Sequence, residues 1–556
     1  MQFQSTSVSS RAKGAATGGS ATQATAGGSS RSSLFAWLAL IPGGLTFLWA
    51  LVHRSLLLYG DATAHLMIAR RIVDSASPGL SQWGSVWLPF PHLLAAPFVL
   101  IPELWKTGAA GSIPSLATFA LSVWSLHRIV WRHWGGVAAD WAATVYLLNP
   151  CLLYLAAVPM TESVYLAMFV GAVDQIDRWS MARAQGAAEK WGAVWAAAVF
   201  AACGSLCRYD GWFILPFYLA MLVLASATLR QAWHAAWRFC LVTAIAPVFW
   251  FAYNQYVFHD WLAFARGPYS ARQIYLNSLR DGGQRYPGDH QFWIALLYYL
   301  RTVCLNVGVP LLLAAAFGFG LYLLWLWRGR KAGRAGWLMP GGERLIPLLL
   351  TLPLPWYVWA MYSGNVPIFI PMYWPHGYYN VRYGAQLLPA VAAFSGVMLA
   401  ALLARLAGQK QRRQLLAAMG VLVAASYGWM FHGLGPITYA EALYNSPNRL
   451  AMERQLATAL QPRRPGERVL MFLGTYPGAL ADDDIPIHEV IQEANFDLWN
   501  RALQAPQELA QWVVVEDDTI LSQQINRGAL HQYFHAVSHF SAPTEHPVTV
   551  FRRNSE

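Results

Sequence analysis

Ser33 to Asp61 reads SLFAWLALIPGGLTFLWALVHRSLLLYGD, an apolar window that ends on a lone carboxylate. Its first part, Ser33 to Val52, carries no charge and has the length a helix needs to cross a hydrocarbon core of about 30 Å. The window has no small-residue cleavage site and leads into further apolar segments, so it reads as a retained span. Outward from it, comparable windows recur at 112–131, 137–157, 162–177, 191–207, 211–228, 238–257, 292–327, 345–363, 384–404 and 413–432. The expected fold class is therefore mainly α, a polytopic transmembrane helical bundle of about eleven spans. Composition agrees: 56% of the 556 residues are hydrophobic and 12% charged, too few charges to clothe a soluble protein of that size.

Three regions follow. Residues 1–32 are rich in Ser, Gly, Ala and Thr and lack the aromatic and branched residues that offset ordering entropy, so they read as a disordered cytoplasmic tail. Residues 33–432 form the transmembrane domain. From 433 to 556 charges rise and spans end, which marks a small soluble α/β domain. Within it Arg468–Gly474 (RVLMFLG), Trp512–Glu516 (WVVVE) and Thr549–Arg552 read as strands, and Leu450–Leu460 and Phe496–Leu503 as helices.

Charge sets the orientation. Arg128/Arg132, Arg178/Arg183/Lys190, Arg230/Arg238, Arg328/Arg330/Lys331/Arg334 and Arg405/Lys410/Arg412/Arg413 fall in alternate connections, which the positive-inside rule places in the cytoplasm with Arg11, Lys13 and Arg31 of the tail. An odd span count then puts the loops at 53–111, 258–291 and 364–383, and the C-terminal domain, on the extracytoplasmic face of a plasma (inner) membrane. The net charge of +11 reflects this bias together with attraction to membrane lipids, and no nucleic-acid module accompanies it. The five cysteines lie in or beside spans, so neither a disulfide framework nor a zinc site is expected, and Cys203 and Cys207 read as packing residues.

Chemistry concentrates on one expected face. Asp61 follows Gly60 directly after the first span, and His65 lies one helical turn on. A carboxylate facing a cavity there can take a proton from an attacking hydroxyl; equally, Asp61 can cap a short helix over 62–74. Glu162, in Thr161-Glu162-Ser163, opens the fourth span. Arg208-Tyr209-Asp210-Gly211-Trp212 joins the fifth and sixth, and Arg382-Tyr383 enters the tenth. Bland readings stand beside these: Glu162 as a helix-dipole partner, Arg208 paired with Asp210, Arg382 snorkelling to headgroups. Ionisable residues at such depths are costly unless paired or facing water, and their convergence favours a functional cavity. Trp83, Trp87, Tyr269, Tyr286, Tyr373 and Trp374 read as an interfacial belt. Asp482-Asp483-Asp484 reads as a solvated loop, and Gly474-Thr475-Tyr476-Pro477-Gly478 as a turn.

With these motifs the layout resembles the GT-C superfamily of membrane glycosyltransferases, which includes the protein O-mannosyltransferases, aminoarabinose transferases and GPI mannosyltransferases. Gly60-Asp61 matches the acidic site after span one, and Thr161-Glu162-Ser163 and Arg208-Tyr209-Asp210-Gly211 match short motifs of several branches. Arg382-Tyr383 resembles the lipid-phosphate contact. The resemblance covers roughly 33–432. It implies a polyprenyl-phosphate-linked sugar donor and a glycan, lipid or protein acceptor, with inverting transfer. In it Asp61 acts as base, and His65, Glu162, Arg208, Asp210, Arg382 and Tyr383 contact substrate. One acidic residue stands where the family often has a pair, which leaves a divalent metal cofactor open. Two other classes compete: a transporter or flippase of lipid-linked glycans, and a non-catalytic subunit of an envelope polysaccharide assembly. The first usually carries mid-span charges in repeated halves.

Overall fold

The computed structural model describes residues 18–185, 190–268, 270–330 and 342–554; Arg11, Lys13, Tyr269, Lys331 and Arg334 lie outside the described residues. Within them the protein is a multi-pass bundle. Five helices are long and apolar enough to cross a membrane: Gly28–Val52, Ala109–Trp134, Leu229–Phe258, Val309–Arg328 and Val381–Leu403. Two bent pairs, Pro150–Ala157 with Thr161–Ala184 at 109° and Gly342–Thr351 with Pro353–Tyr362 at 43°, raise the number to as many as seven. Trp191–Ser205, Asp210–Leu224 and Phe292–Val307 are apolar but shorter.

Every apolar window thus holds helix, while full-length spans are fewer than the eleven expected. The reason is local. The windows at 191–207 and 211–228 hold helices of only 15 residues each, and those at 137–157 and 162–177 share one bent pair. Gly308, at φ 88°, divides the 292–327 window into Phe292–Val307 and Val309–Arg330, because a left-handed backbone ends a helix. Pro159 separates the members of the first bent pair. At the N-terminus the helix begins at Gly18, inside the tract expected to be disordered. Its later part is tied down: Arg31 pairs with Asp140 at 2.9 Å, and Ser32 Oγ lies 2.8 Å from His127 Nδ1.

Small residues bring the helices together, as lipid-embedded packing requires. A Cβ on Gly318 would lie 1.8 Å from the Phe394 carbonyl oxygen, and one on Gly396 would lie 2.6 Å from that of Ala138, so helix Leu388–Leu403 touches two neighbours backbone to backbone. At the end of the bundle away from Asp61, Arg132 bonds Asp174 at 2.6 Å and Asp177 at 2.5 Å, and His133 meets Asp177 at 2.6 Å. Arg132, expected only as an orientation signal, thereby locks helix Ala109–Trp134 to helix Thr161–Ala184.

The C-terminal domain carries a five-stranded sheet, β1 Val469–Met471, β2 Val490–Ile491, β3 Trp512–Glu516, β4 Phe534–Phe540 and β5 Val548–Arg553, in the order β2-β1-β3-β5-β4. β1 runs parallel to β2 and β3, while β5 is antiparallel to β3 and β4. β4 escaped the sequence reading because it is an edge strand, FHAVSHF, buried only at its two ends. The domain sits on the first long loop. Leu66, Met67, Ala95 and Trp105 share a core with Met452, Leu456 and Val469. Gln82 Nε2 donates to the Ala494 carbonyl at 2.9 Å, and Asn495 Nδ2 to Ser77 at 2.7 Å.

Candidate active site

The loop after the first span folds at once into helix Gly60–Arg71. Tyr59 is its N-cap and makes no side-chain cap bond, so the capping role for Asp61 does not hold. Asp61 stands in the first turn and its Oδ2 accepts from Arg382 Nη2 at 2.5 Å. Oδ1 has no hydrogen-bond partner among the described residues.

Arg382 is delivered by a tight turn. Asn380 takes φ 56°, a left-handed conformation that Asn tolerates, and its Nδ2 donates to the Pro367 carbonyl at 2.8 Å. The chain then enters the 3-10 segment Val381–Leu387. There Arg382 is buried among carboxylates and does not snorkel. Besides Asp61, its Nε donates to Glu162 Oε1 at 3.1 Å and its Nη1 to Glu441 Oε1 at 2.8 Å, while its backbone N–H donates to Glu441 Oε2 at 2.9 Å.

Arg208 forms the second half. It donates through Nε to both oxygens of Asp210 at 3.2 Å, through Nη1 to Thr161 at 3.0 Å and Glu162 Oε1 at 3.1 Å, and through Nη2 to the Tyr357 hydroxyl at 3.1 Å. Tyr357 in turn donates to Asp210 at 2.9 Å. Glu162, in the first turn of helix Thr161–Ala184, bridges the two guanidinium groups through one oxygen. The Tyr383 ring lies 4.6 Å from the Arg208 guanidinium and 5.1 Å from that of Arg382.

Asp61, Glu162, Arg208, Asp210, Arg382 and Tyr383 therefore meet in one network, with four carboxylates sharing two guanidiniums. Three carboxylates are sealed, Glu162 and Glu441 at 1% and Asp210 at 4% side-chain exposure, whereas Asp61 keeps 36%. Asp61 is thus the carboxylate of this network that a substrate can reach. His65 stands beside it but bonds elsewhere, its Nδ1 lying 2.9 Å from His92 Nε2. Burial lowers His65 to about 4 against the pull of Asp61 and Glu162.

Glu441 was not anticipated. It lies on helix Ile437–Asn445, just past the last apolar window. Burial raises its pKa and the Arg382 guanidinium opposes the rise. Tyr59, whose hydroxyl lies 3.3 Å from Glu441 Oε2, and Tyr357 were also missed. A carboxylate inside TYAEALY is a signal of sorts, yet in a tract that reads as soluble it has no visible partner. Of the expected aromatic belt, Trp83 is buried against Tyr253, Trp87 sits edge-on to His65 at 4.5 Å, and Tyr286 stacks on Tyr275. Asp484, in the acidic run, pairs with Lys106. Among the described residues no group of three or more His, Cys, Asp or Glu has the geometry to hold a metal ion, and every carboxylate of the network already faces a guanidinium.

No family sequence model matches the chain, and comparison with curated protein sequences gives no match. Solved structures do match. ArnT from Cupriavidus metallidurans bound to undecaprenyl phosphate is 14% identical with a TM-score of 0.50, over 93% of this chain and 97% of that one. The apo state of the same protein gives 13% and 0.48, over 88% and 93%. The Archaeoglobus fulgidus oligosaccharyltransferase in the apo form gives 11% and 0.48, over 94% and 74%. The likeness to ArnT is one of architecture from end to end: the chain has the fold of the GT-C membrane glycosyltransferases.

Proposed function

We propose that the protein is a glycosyltransferase of the plasma (inner) membrane that moves a sugar from a polyprenyl-phosphate donor to an acceptor hydroxyl, with inversion, on the extracytoplasmic face. The observation that carries this reading is the exposure of Asp61 beside the buried Arg382 guanidinium, which Glu162 links to the partly buried Arg208, in a fold that in ArnT accommodates undecaprenyl phosphate. The glycosidic phosphate would lie against the N–H groups of Arg382 and Arg208 not used by carboxylates, since guanidinium offers a planar fork to phosphate oxygens. The acceptor oxygen then attacks the anomeric carbon from the opposite side as its proton passes to Asp61 Oδ1. The bond from the anomeric carbon to the phosphate oxygen breaks, and its electron pair leaves with the polyprenyl phosphate. Glu162, Asp210, Glu441 and Tyr383 hold the two arginines still, so positioning and electrostatics supply most of the effect.

Charge placement favours an enzyme over a transporter. Along Thr161–Ala184 the carboxylates are Glu162 in the first turn and Asp174 and Asp177 past the midpoint, both paired with Arg132, with none over 163–173. The C-terminal domain, seated on the loop that carries Asp61, is proposed to select the acceptor, which can be a glycan, a lipid or a protein. The test is transfer from radiolabelled polyprenyl-phosphate sugars in membranes holding matched amounts of wild type or Asp61→Asn. Loss of a general base lowers turnover by about 10²–10⁴. Equal transfer by both proteins would remove Asp61 from the chemistry, and no transfer by either would reject this donor class.

A further inference from the structure

His65 and His92 are both buried, with Nδ1 of the first 2.9 Å from Nε2 of the second. Burial lowers both imidazoles, and for His92 the neighbouring His65 and Arg71 add to the effect, so near neutral pH each ring carries one N–H. The single proton between them can belong to either ring. If His65 donates through Nδ1, then His92 must carry its own proton on Nδ1, an enclosed atom with no partner among the described residues. A buried N–H left without an acceptor costs about 1–3 kcal/mol, and orphaned N–H groups are the rarer kind of defect. If His92 donates through Nε2, its Nδ1 is a bare lone pair and His65 is left with its proton on Nε2. Arg71 acts on His92, while both carboxylates, Asp61 and Glu162, and both guanidiniums, Arg382 and Arg208, act on His65, so the enclosed His92 Nδ1 decides for the second arrangement. No protein group among the described residues bonds His65 Nε2.

We propose that His92 is a positioning residue that fixes His65 as the Nε2–H tautomer, so that the residue one turn beyond Asp61 offers a neutral N–H to a substrate oxygen held beside that carboxylate. His65 is then neither an acceptor nor a cation toward the substrate. The ligand in this statement rests on the glycosyltransferase reading, whereas the tautomer does not.

Two measurements test it on the purified full chain. Solid-state NMR with ¹⁵N-labelled histidine, with His65 assigned from the His65→Gln spectrum, reads the tautomer directly. Nε2–H is expected in the wild type and a mixture in His92→Leu; Nδ1–H on His65 in the wild type would overturn the proposal whatever the protein transfers. In the transfer assay His92→Leu is expected to raise KM by about tenfold, the worth of one hydrogen bond, with a smaller change in kcat. His92→Gln, whose amide can still donate at the Nε2 position, restores the wild-type KM. His65→Gln keeps a donor at the Nε2 position and retains most transfer, whereas His65→Asn does not. A folded His92→Leu with unchanged KM would overturn the substrate contact.

Discussion

Arg382 Nη2 lies 2.5 Å from Asp61 Oδ2 across 321 positions of sequence, joining the start of the first long loop to the start of a late span. The same guanidinium also holds Glu162 and Glu441, so it is the node on which the site closes.

Arg382→Ala leaves the sealed Glu441 without its cation and Glu162 with Arg208 alone. Breaking a buried pair by removing one partner costs about 3–5 kcal/mol, so detergent-solubilised protein should unfold at a clearly lower temperature and lose transfer. Arg382→Lys keeps the charge but not the planar fork. It should regain most of the stability and little of the activity; full activity in the lysine variant would remove the fork from the mechanism.

Glu441 gives a more selective probe. In Glu441→Gln the amide oxygen can accept one of the two bonds now made to Arg382, so folding should change by no more than about 1–3 kcal/mol. Arg382 loses its ionic grip, and turnover should fall by about tenfold or more, consistent with a misplacement of a fraction of an ångström. Unchanged turnover would make Glu441 a packing residue only.

The histidine pair makes stability depend on pH with a fixed sign. His65 titrates at about 4 in the folded protein against about 6.5 in an unfolded chain, so between those values the unfolded state binds more protons. The stabilisation is complete above about 6.5 and declines as pH falls toward 4, by up to roughly 1.4 kcal/mol per pH unit for each such proton. Asp61 and Glu162 face this ring and oppose the shift, while Arg382 and Arg208 add to it. Thermal unfolding from pH 7 to 4 should show it, with a shallower slope in His65→Gln; equal slopes would exclude His65 as the source.

Gly384 follows the Arg382-Tyr383 pair, and a Cβ there would lie 2.5 Å from both Asn306 Nδ2 and the Thr302 carbonyl oxygen. The carbonyl cannot yield as a side chain does. Gly384→Ala should therefore push the turn away from helix Phe292–Val307 and lower both unfolding temperature and turnover, while Gly320→Ala, with open space around it, should change neither.

Much of this was legible in the sequence because a membrane makes charge conspicuous. Asp61, Glu162, Arg208, Asp210, Arg382 and Tyr383 each stand at the edge of an apolar window, where an ionisable or aromatic group has few reasons to be. Glu441 lacks that contrast, since its surroundings read as an ordinary amphipathic helix after the last span. His92 sits in FPHLLA, and its role depends on a ring that approaches from another helix. Span count suffered from the opposite problem: hydropathy is blind to where a helix stops, and Trp191–Ser205 and Asp210–Leu224 end after 15 residues each within longer apolar windows. Edge strand β4 hid because strands with one solvated side lack a continuous apolar run.

The placement of Glu441 beyond the final span also bears on biogenesis. A nascent chain can insert the residues around Asp61, Glu162 and Arg208 early, yet the node at Arg382 stays short of a partner until the ribosome has passed Glu441 and that segment has reached its membrane face. On the glycosyltransferase reading, products that terminate before Glu441, though embedded in lipid, would be catalytically silent.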